Sequence, residues 1–94
     1  MNTPRFHTED LPFAAFLCAT RRLRFLGCES ANGNARVAFI FDDPANEGER
    51  LQVEFESGAE CSAAAYYDSV RHLRRVMTRA MEQGITECLQ TSNH

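Results

Sequence analysis

Lysine is absent from this chain of 94 residues, so all ten of its basic side chains are arginine. Two explanations fit this absence. An arginine-favouring, GC-rich coding background would also suit the many alanines. Selection for planar guanidinium groups would instead favour two-point contacts with phosphates or carboxylates. Composition alone does not separate the two explanations.

An excess of positive charge is also lacking, because the formal net charge is −3. The molecule as a whole therefore has no field that would draw it to nucleic acid or to an anionic membrane, and any such binding has to be local.

Long hydrophobic runs are missing as well. The longest, from Phe13 to Ala19, is far shorter than the roughly 20 residues that a membrane-spanning helix needs. We therefore expect no membrane partner.

The cysteines and histidines form no metal-binding pattern. No C-x-x-C pair occurs among Cys18, Cys28, Cys61 and Cys88, and the histidines are scattered. We expect no secretory signal, and the 44% of hydrophobic residues suffices for a core without disulfides. We predict reduced thiols, a cytoplasmic location, no metal and no other cofactor.

The sequence signatures of common enzymes are missing too. There is no G-x-S-x-G, no glycine-rich loop that would cradle phosphates and no H-E-x-x-H. We predict no catalytic residue and no enzymatic activity.

What is present suffices for one domain. No repeat or linker divides the chain, which predicts a single domain over residues 1–94, with an ordered core from about residue 8 to 84 and a polar C-terminal tail. A domain this short buries only about 60 to 65% of its extended surface. A homodimer would therefore be a natural way to cover more apolar area.

Two helices and a hairpin can be placed from local patterns. A helix from about Asp10 to Thr20 begins at the candidate caps Thr8 and Asp10 and has no polar face, so we expect it to be buried, with a buried strand as the rival interpretation. Asn-Gly at residues 32–33 predicts a β-hairpin of about Leu23 to Glu29 and Ala35 to Phe41. Ser62 and Gly84 bound a second helix, from about Ala63 to Gln83, whose apolar stripe contains Tyr66, Val70, Leu73, Met77 and Ala80.

Residues 44–57 fit two structures. Leu51, Val53 and Phe55 alternate with polar residues as in a half-buried strand, whereas Asp43-Pro44 and Gly58 are good helix boundaries. The local pattern leaves both open. The predicted fold class is therefore α+β, with a small hairpin-based antiparallel sheet packed against a buried N-terminal helix and a long C-terminal amphipathic helix.

Arginines on the last helix are the strongest functional feature. The candidate binding residues are Arg71, Arg74, Arg75 and Arg79, which fall within about 12 Å of axial rise on one flank. This flank could be a solvated surface, a phosphate-binding surface, or the partner of the acidic segment from Asp42 to Glu60, within one copy or across a dimer. We expect the neighbouring Tyr66 and Tyr67 to belong to the core.

The order of elements resembles a family of short, uncharacterised bacterial and phage proteins known only as a domain of unknown function. The residues that carry the resemblance span about Thr8 to Met77 and comprise Thr8-x-Asp10-Leu11, Ala14-Ala15-Phe16-Leu17, Phe39-x-Phe41-Asp42, Gly58 and Tyr66-Tyr67-Asp68-Ser69-Val70-Arg71-x-Leu73-Arg74. Two differences are a lysine that is here Arg74 and a glycine after the first helix, where this chain has Thr20-Arg21. The resemblance favours a helix between Pro44 and Ser57 and implies no activity, cofactor or catalytic residue.

Three functional hypotheses follow. The first is a small non-enzymatic binding or adaptor module of a bacterium, phage or mobile element, whose partner is another protein or a second copy. The second is a nucleic-acid-binding protein that uses the four arginines, assisted by Arg21, Arg22 and Arg24. The third and weakest is a phage-type inhibitor that mimics nucleic acid through the acidic residues 42–60.

Overall fold

A computed structural model describes residues 4–30 and 36–83, which form a three-stranded sheet and three helices. The strands are β1 (Arg5–Thr8), β2 (Arg24–Ser30) and β3 (Val37–Asp42), and the helices are α1 (Leu11–Thr20), α2 (Gly48–Glu56) and α3 (Ala63–Gln83). The predicted α+β fold class is confirmed. The expected turn at Asn32-Gly33, the helix end at Gly84 and the C-terminal tail lie outside the described residues.

The sheet has the order β1-β3-β2, and both outer strands run antiparallel to β3. The predicted pairing of the two hairpin strands is confirmed, with Cys28 opposite Phe39 and Ser30 opposite Val37. Strand β1 was not predicted. Because β1 supplies the third strand, β3 is a central strand, which explains why its residues 39–41 are all buried.

Helix α1 packs into the core as its composition predicts. Asp10 is its N-cap, since a side-chain oxygen of Asp10 accepts a hydrogen bond from the backbone N–H of Phe13 at 3.4 Å. The consecutive residues Phe13 to Leu17 are all buried. At the other end Arg21 adopts a left-handed backbone with φ of 58°, a conformation in which helix ends favour glycine.

Residues 48–56 form a helix, which answers the question that the local pattern left open. A buried carboxylate sets its start, because Asp43 accepts hydrogen bonds from the backbone N–H groups of Glu47 and Gly48, at 2.7 and 2.8 Å. Phe55 lies against Phe16 of α1, with 5.1 Å between the ring centroids. Leu51 and Phe55 therefore face the core as an i, i+4 pair, and Val53 points outward.

Burial against this core changes the acidity of the Cys18 thiol. Desolvation raises the pKa of Cys18 from 9.0 to about 11. The folded state therefore holds this proton more tightly than the unfolded chain does. The thiol's contribution to stability is complete below about pH 9 and is lost as the pH rises toward about 11.

We therefore expect the free energy of unfolding to fall between about pH 9 and pH 11, and to fall less in a Cys18→Ala variant. The absence of lysine helps this measurement, because no ammonium group titrates in the same range. Urea unfolding at several alkaline pH values would test it. An equal loss of stability in both proteins would contradict the assignment to Cys18.

Candidate functional site: the arginine face of the last helix

Helix α3 begins at a side-chain cap and packs by an apolar stripe. The Ser62 hydroxyl accepts a hydrogen bond from the backbone N–H of Ala65 at 3.2 Å, as the sequence predicts. Leu73 and Ala80 are completely buried. The other predicted stripe residues, Tyr66, Val70 and Met77, are partly buried against the same core. Val76, which was not predicted, is partly buried there as well. This packing fixes which side of α3 faces outward.

The outward side carries all four candidate binding residues, which we call the arginine face: Arg71, Arg74, Arg75 and Arg79. Each of them is exposed. Arg71, Arg75 and Arg79 follow one another at intervals of one helical turn, so their guanidinium groups form a row on the surface. The row exists because the buried stripe occupies the opposite side of the same helix.

Three of the six arginines outside this face are paired with carboxylates. Arg22 lies 3.1 Å from Glu54, Arg36 lies 2.9 Å from Glu9, and Arg50 contacts Glu47. No carboxylate within residues 4–30 and 36–83 forms an ion pair with the arginine face. The hypothesis that the acidic segment neutralises this face inside one copy is therefore wrong for the described part of the chain.

Several carboxylates of the acidic segment instead contact groups outside the arginine face. The Arg22 guanidinium, through its hydrogen bond and then its charge, holds the pKa of Glu54 below the ordinary value, and the charge of Arg50 adds to this effect. Asp43 is buried and caps α2. Several acidic residues of the segment therefore have structural roles, while Glu49, Glu56 and Glu60 remain exposed.

A shallow groove runs along the arginine face and has a volume of about 490 Å³. Its walls are formed by Arg74, Arg75, Thr78, Arg79 and Glu82. Guanidinium groups and a threonine hydroxyl are donors for phosphate or carboxylate oxygens, whereas the Glu82 carboxylate opposes an anion at one end. The groove thus suits an extended anionic surface better than a small enclosed anion.

Tyr67 lies beside the arginine face and not in the core. Its side chain is 61% exposed, and the Arg71 guanidinium lies 5.5 Å from the centre of its ring. The prediction that both tyrosines belong to the core is correct for Tyr66 and wrong for Tyr67. The physical reason is the helical period, since adjacent residues point about 100° apart. This exposed ring enlarges the candidate site beyond the four arginines.

The arginines suggested as helpers lie outside α3. Arg22 is bound to Glu54, and Arg24 lies opposite Asp42 in the pairing of β2 with β3. Arg21 is exposed at the end of α1. Among residues 4–30 and 36–83, no ion pair joins these three arginines to a residue of the arginine face.

A second, more apolar groove of about 410 Å³ lies between the end of α2 and the start of α3. Its lining combines buried and half-buried aromatic rings with the exposed Cys61 and comprises Phe16, Phe55, Ala59, Glu60, Cys61, Ala63 and Tyr66. Sequence reasoning did not find this groove, because it depends on the helical form of residues 48–56. None of the described residues that line it is a histidine that could activate the Cys61 thiol.

Within 4–30 and 36–83, no three metal-ligating side chains come together. Over the same residues, no helix is both long and apolar enough to cross a membrane.

Comparisons with protein-family models, with curated proteins and with solved structures find no match to this chain. The resemblance to the uncharacterised bacterial and phage family therefore stays a prediction, and the site has to be interpreted from its own geometry.

Proposed function

We propose that the protein is a small non-enzymatic binding module of a bacterium, phage or mobile element. It acts in the cytoplasm through protein–protein contacts, and the arginine face is its contact surface. One observation carries this proposal. Arg22, Arg36 and Arg50 are paired with carboxylates, whereas the arginine face has no carboxylate partner among the described residues. A row of unpaired guanidinium groups favours a partner with an acidic surface.

The experiment is a titration with a polyglutamate peptide, which serves as a probe for an acidic protein surface. We expect binding at low salt, and we expect the variant Arg75→Glu/Arg79→Glu to bind at least about tenfold more weakly because it reverses two charges of the row. The variant Arg36→Glu/Arg50→Glu has the same net charge and leaves the row intact. It should retain most of the affinity.

Equal losses in the two variants would show that only the net charge matters, which would contradict a defined contact surface. Absence of binding at low salt would overturn the proposal as a whole. Circular dichroism of both variants, compared with the unchanged protein, controls for unfolding.

Nucleic acid is the second candidate partner, and the position of Tyr67 favours it. An exposed aromatic ring next to a row of guanidinium groups is the combination that binds single strands, since bases stack on the ring while arginines contact phosphates. The net charge of −3 opposes it at long range. Stacking on Tyr67 would be worth about 1 to 3 kcal/mol for one base.

For this candidate we expect single-stranded oligonucleotides to bind at low salt, with an affinity that falls linearly on a logarithmic salt scale. Tyr67→Ala should weaken that binding about tenfold or more, and Tyr67→Phe should preserve it because the ring remains. A titration followed by fluorescence anisotropy measures both. If Tyr67→Ala binds as well as the unchanged protein, base stacking on this ring is excluded.

A further inference from the structure

Helix α2 presents a surface whose chemistry is opposite to that of the arginine face. We call it the acidic face, and it consists of Glu49, Val53 and Glu56. All three residues are exposed, and Val53 is 64% exposed, more than any other large apolar side chain described. Their spacing of four and three residues places them in one line along α2, with an apolar centre between two carboxylates. Neither Glu49 nor Glu56 forms an ion pair within the described residues.

The two faces match in charge, length and apolar content. Glu49 and Glu56 are separated by about 10 Å along α2, and Arg71 and Arg79 by about 12 Å along α3. The methylene groups of the arginine side chains can pack against Val53 and cover it. Carboxylates without an apolar neighbour would not need such cover. A partner that presents carboxylates on either side of a small apolar side chain therefore fits the arginine face.

We propose that this partner is a second copy of the chain. In a two-fold symmetric dimer, α3 of each copy lies against α2 of the other, so that the contact between the arginine face and the acidic face occurs twice. The inference rests on the proposed function, because it names the acidic protein surface that the arginine face binds. Exposed ion pairs are individually weak and are screened by salt, so the dimer is weak and depends on ionic strength.

The test uses sedimentation equilibrium of the full chain and two charge-reversed variants. We expect the unchanged protein to dimerise at low salt, with a dissociation constant at least about tenfold larger at high salt. Arg71→Glu/Arg75→Glu and Glu49→Arg/Glu56→Arg should each be monomeric, because each brings like charges together. An equimolar mixture of these two variants should form a heterodimer, because both contacts between α2 and α3 then join faces of opposite charge. Glu9→Arg changes a charge outside both faces and should remain dimeric.

A monomeric unchanged protein at every concentration and salt would overturn the inference, and so would a dimer that persists in both charge-reversed variants. The polyglutamate titration separates this failure from that of the proposed function. If the monomer binds polyglutamate through Arg75 and Arg79, the arginine face is a contact surface for another protein and only the dimer is wrong. If it neither binds the peptide nor dimerises, both proposals fall.

Discussion

Replacing Asp43 by alanine should lower the free energy of unfolding by about 2 to 4 kcal/mol. The Asp43 carboxylate is buried, with 2% of the residue exposed, and accepts hydrogen bonds from the backbone N–H groups of Glu47 and Gly48. Alanine would leave both donors without this acceptor, and hydrogen bonds to a charged group are worth more than those to a neutral one. A loss of this size is a large fraction of the stability of a small domain.

Asp43 also links α2 to the sheet, through its backbone. The backbone N–H of Asp43 donates to the carbonyl oxygen of Pro4, just before β1, at 2.9 Å. Asp43 therefore connects three elements: it follows β3, its backbone bonds to the residue before β1, and its carboxylate bonds to the start of α2. We expect hydrogen exchange at Glu47 and Gly48 to accelerate in the alanine variant, together with the decrease in stability.

Two matched substitutions sharpen this prediction. Asp43→Asn keeps one side-chain oxygen as acceptor and should cost about half as much. Glu49→Ala removes an exposed carboxylate from the first turn of the same helix and should cost no more than about 0.5 kcal/mol. Urea unfolding of the three variants compares them directly. If Asp43→Ala is as mild as Glu49→Ala, the buried carboxylate does not hold α2 in place.

Elements with a long, regular pattern were predictable from the sequence. Helix α3 extends over 21 residues with a consistent period, so its stripe and its outward side followed directly. The cap at Asp10 and the Asn-Gly pair located α1 and the hairpin strands in the same way. In each case local propensity and tertiary packing favour the same structure.

Two elements were not predictable, because distant contacts determine them. Strand β1 has only four residues, and its strand character comes from pairing with β3, which follows much later in the chain. In residues 48–56, the spacing of Leu51 and Phe55 fits both a strand and a helix. The helix is selected by the Asp43 carboxylate and by the packing of Phe55 on α1.

The candidate site, too, was predictable only in part. The four arginines and their common side could be predicted from spacing within α3. Whether they are covered could not, because the location of Glu54 beside Arg22 depends on how α2 packs. The acidic face could not be predicted either, since Glu49, Val53 and Glu56 share one side only when the segment is helical.

Gly48→Ala should lower the free energy of unfolding by about 2 to 3 kcal/mol, because the added methyl group has no space. A Cβ atom at position 48 would lie 2.2 Å from Cδ1 of Phe6 and 2.5 Å from its Cγ. The Phe6 ring has little freedom to retreat, because it packs edge-on against Phe13 with 5.8 Å between the ring centroids. The backbone of Gly48 is not left-handed, so this glycine is required for space alone.

Gly58→Ala provides the opposite case and so serves as the control. Gly58 has φ of +100°, and nothing lies within 4 Å of a Cβ at that position, so its cost of about 1 kcal/mol would come from the backbone alone. In a double-mutant cycle, Phe6→Ala should therefore offset part of the loss caused by Gly48→Ala and none of the loss caused by Gly58→Ala. Additive losses for Phe6 and Gly48 would mean that the ring and the helix start do not contact each other in solution. A positive coupling would instead show that β1 and the first turn of α2, which also carries Glu49 of the acidic face, are packed as described.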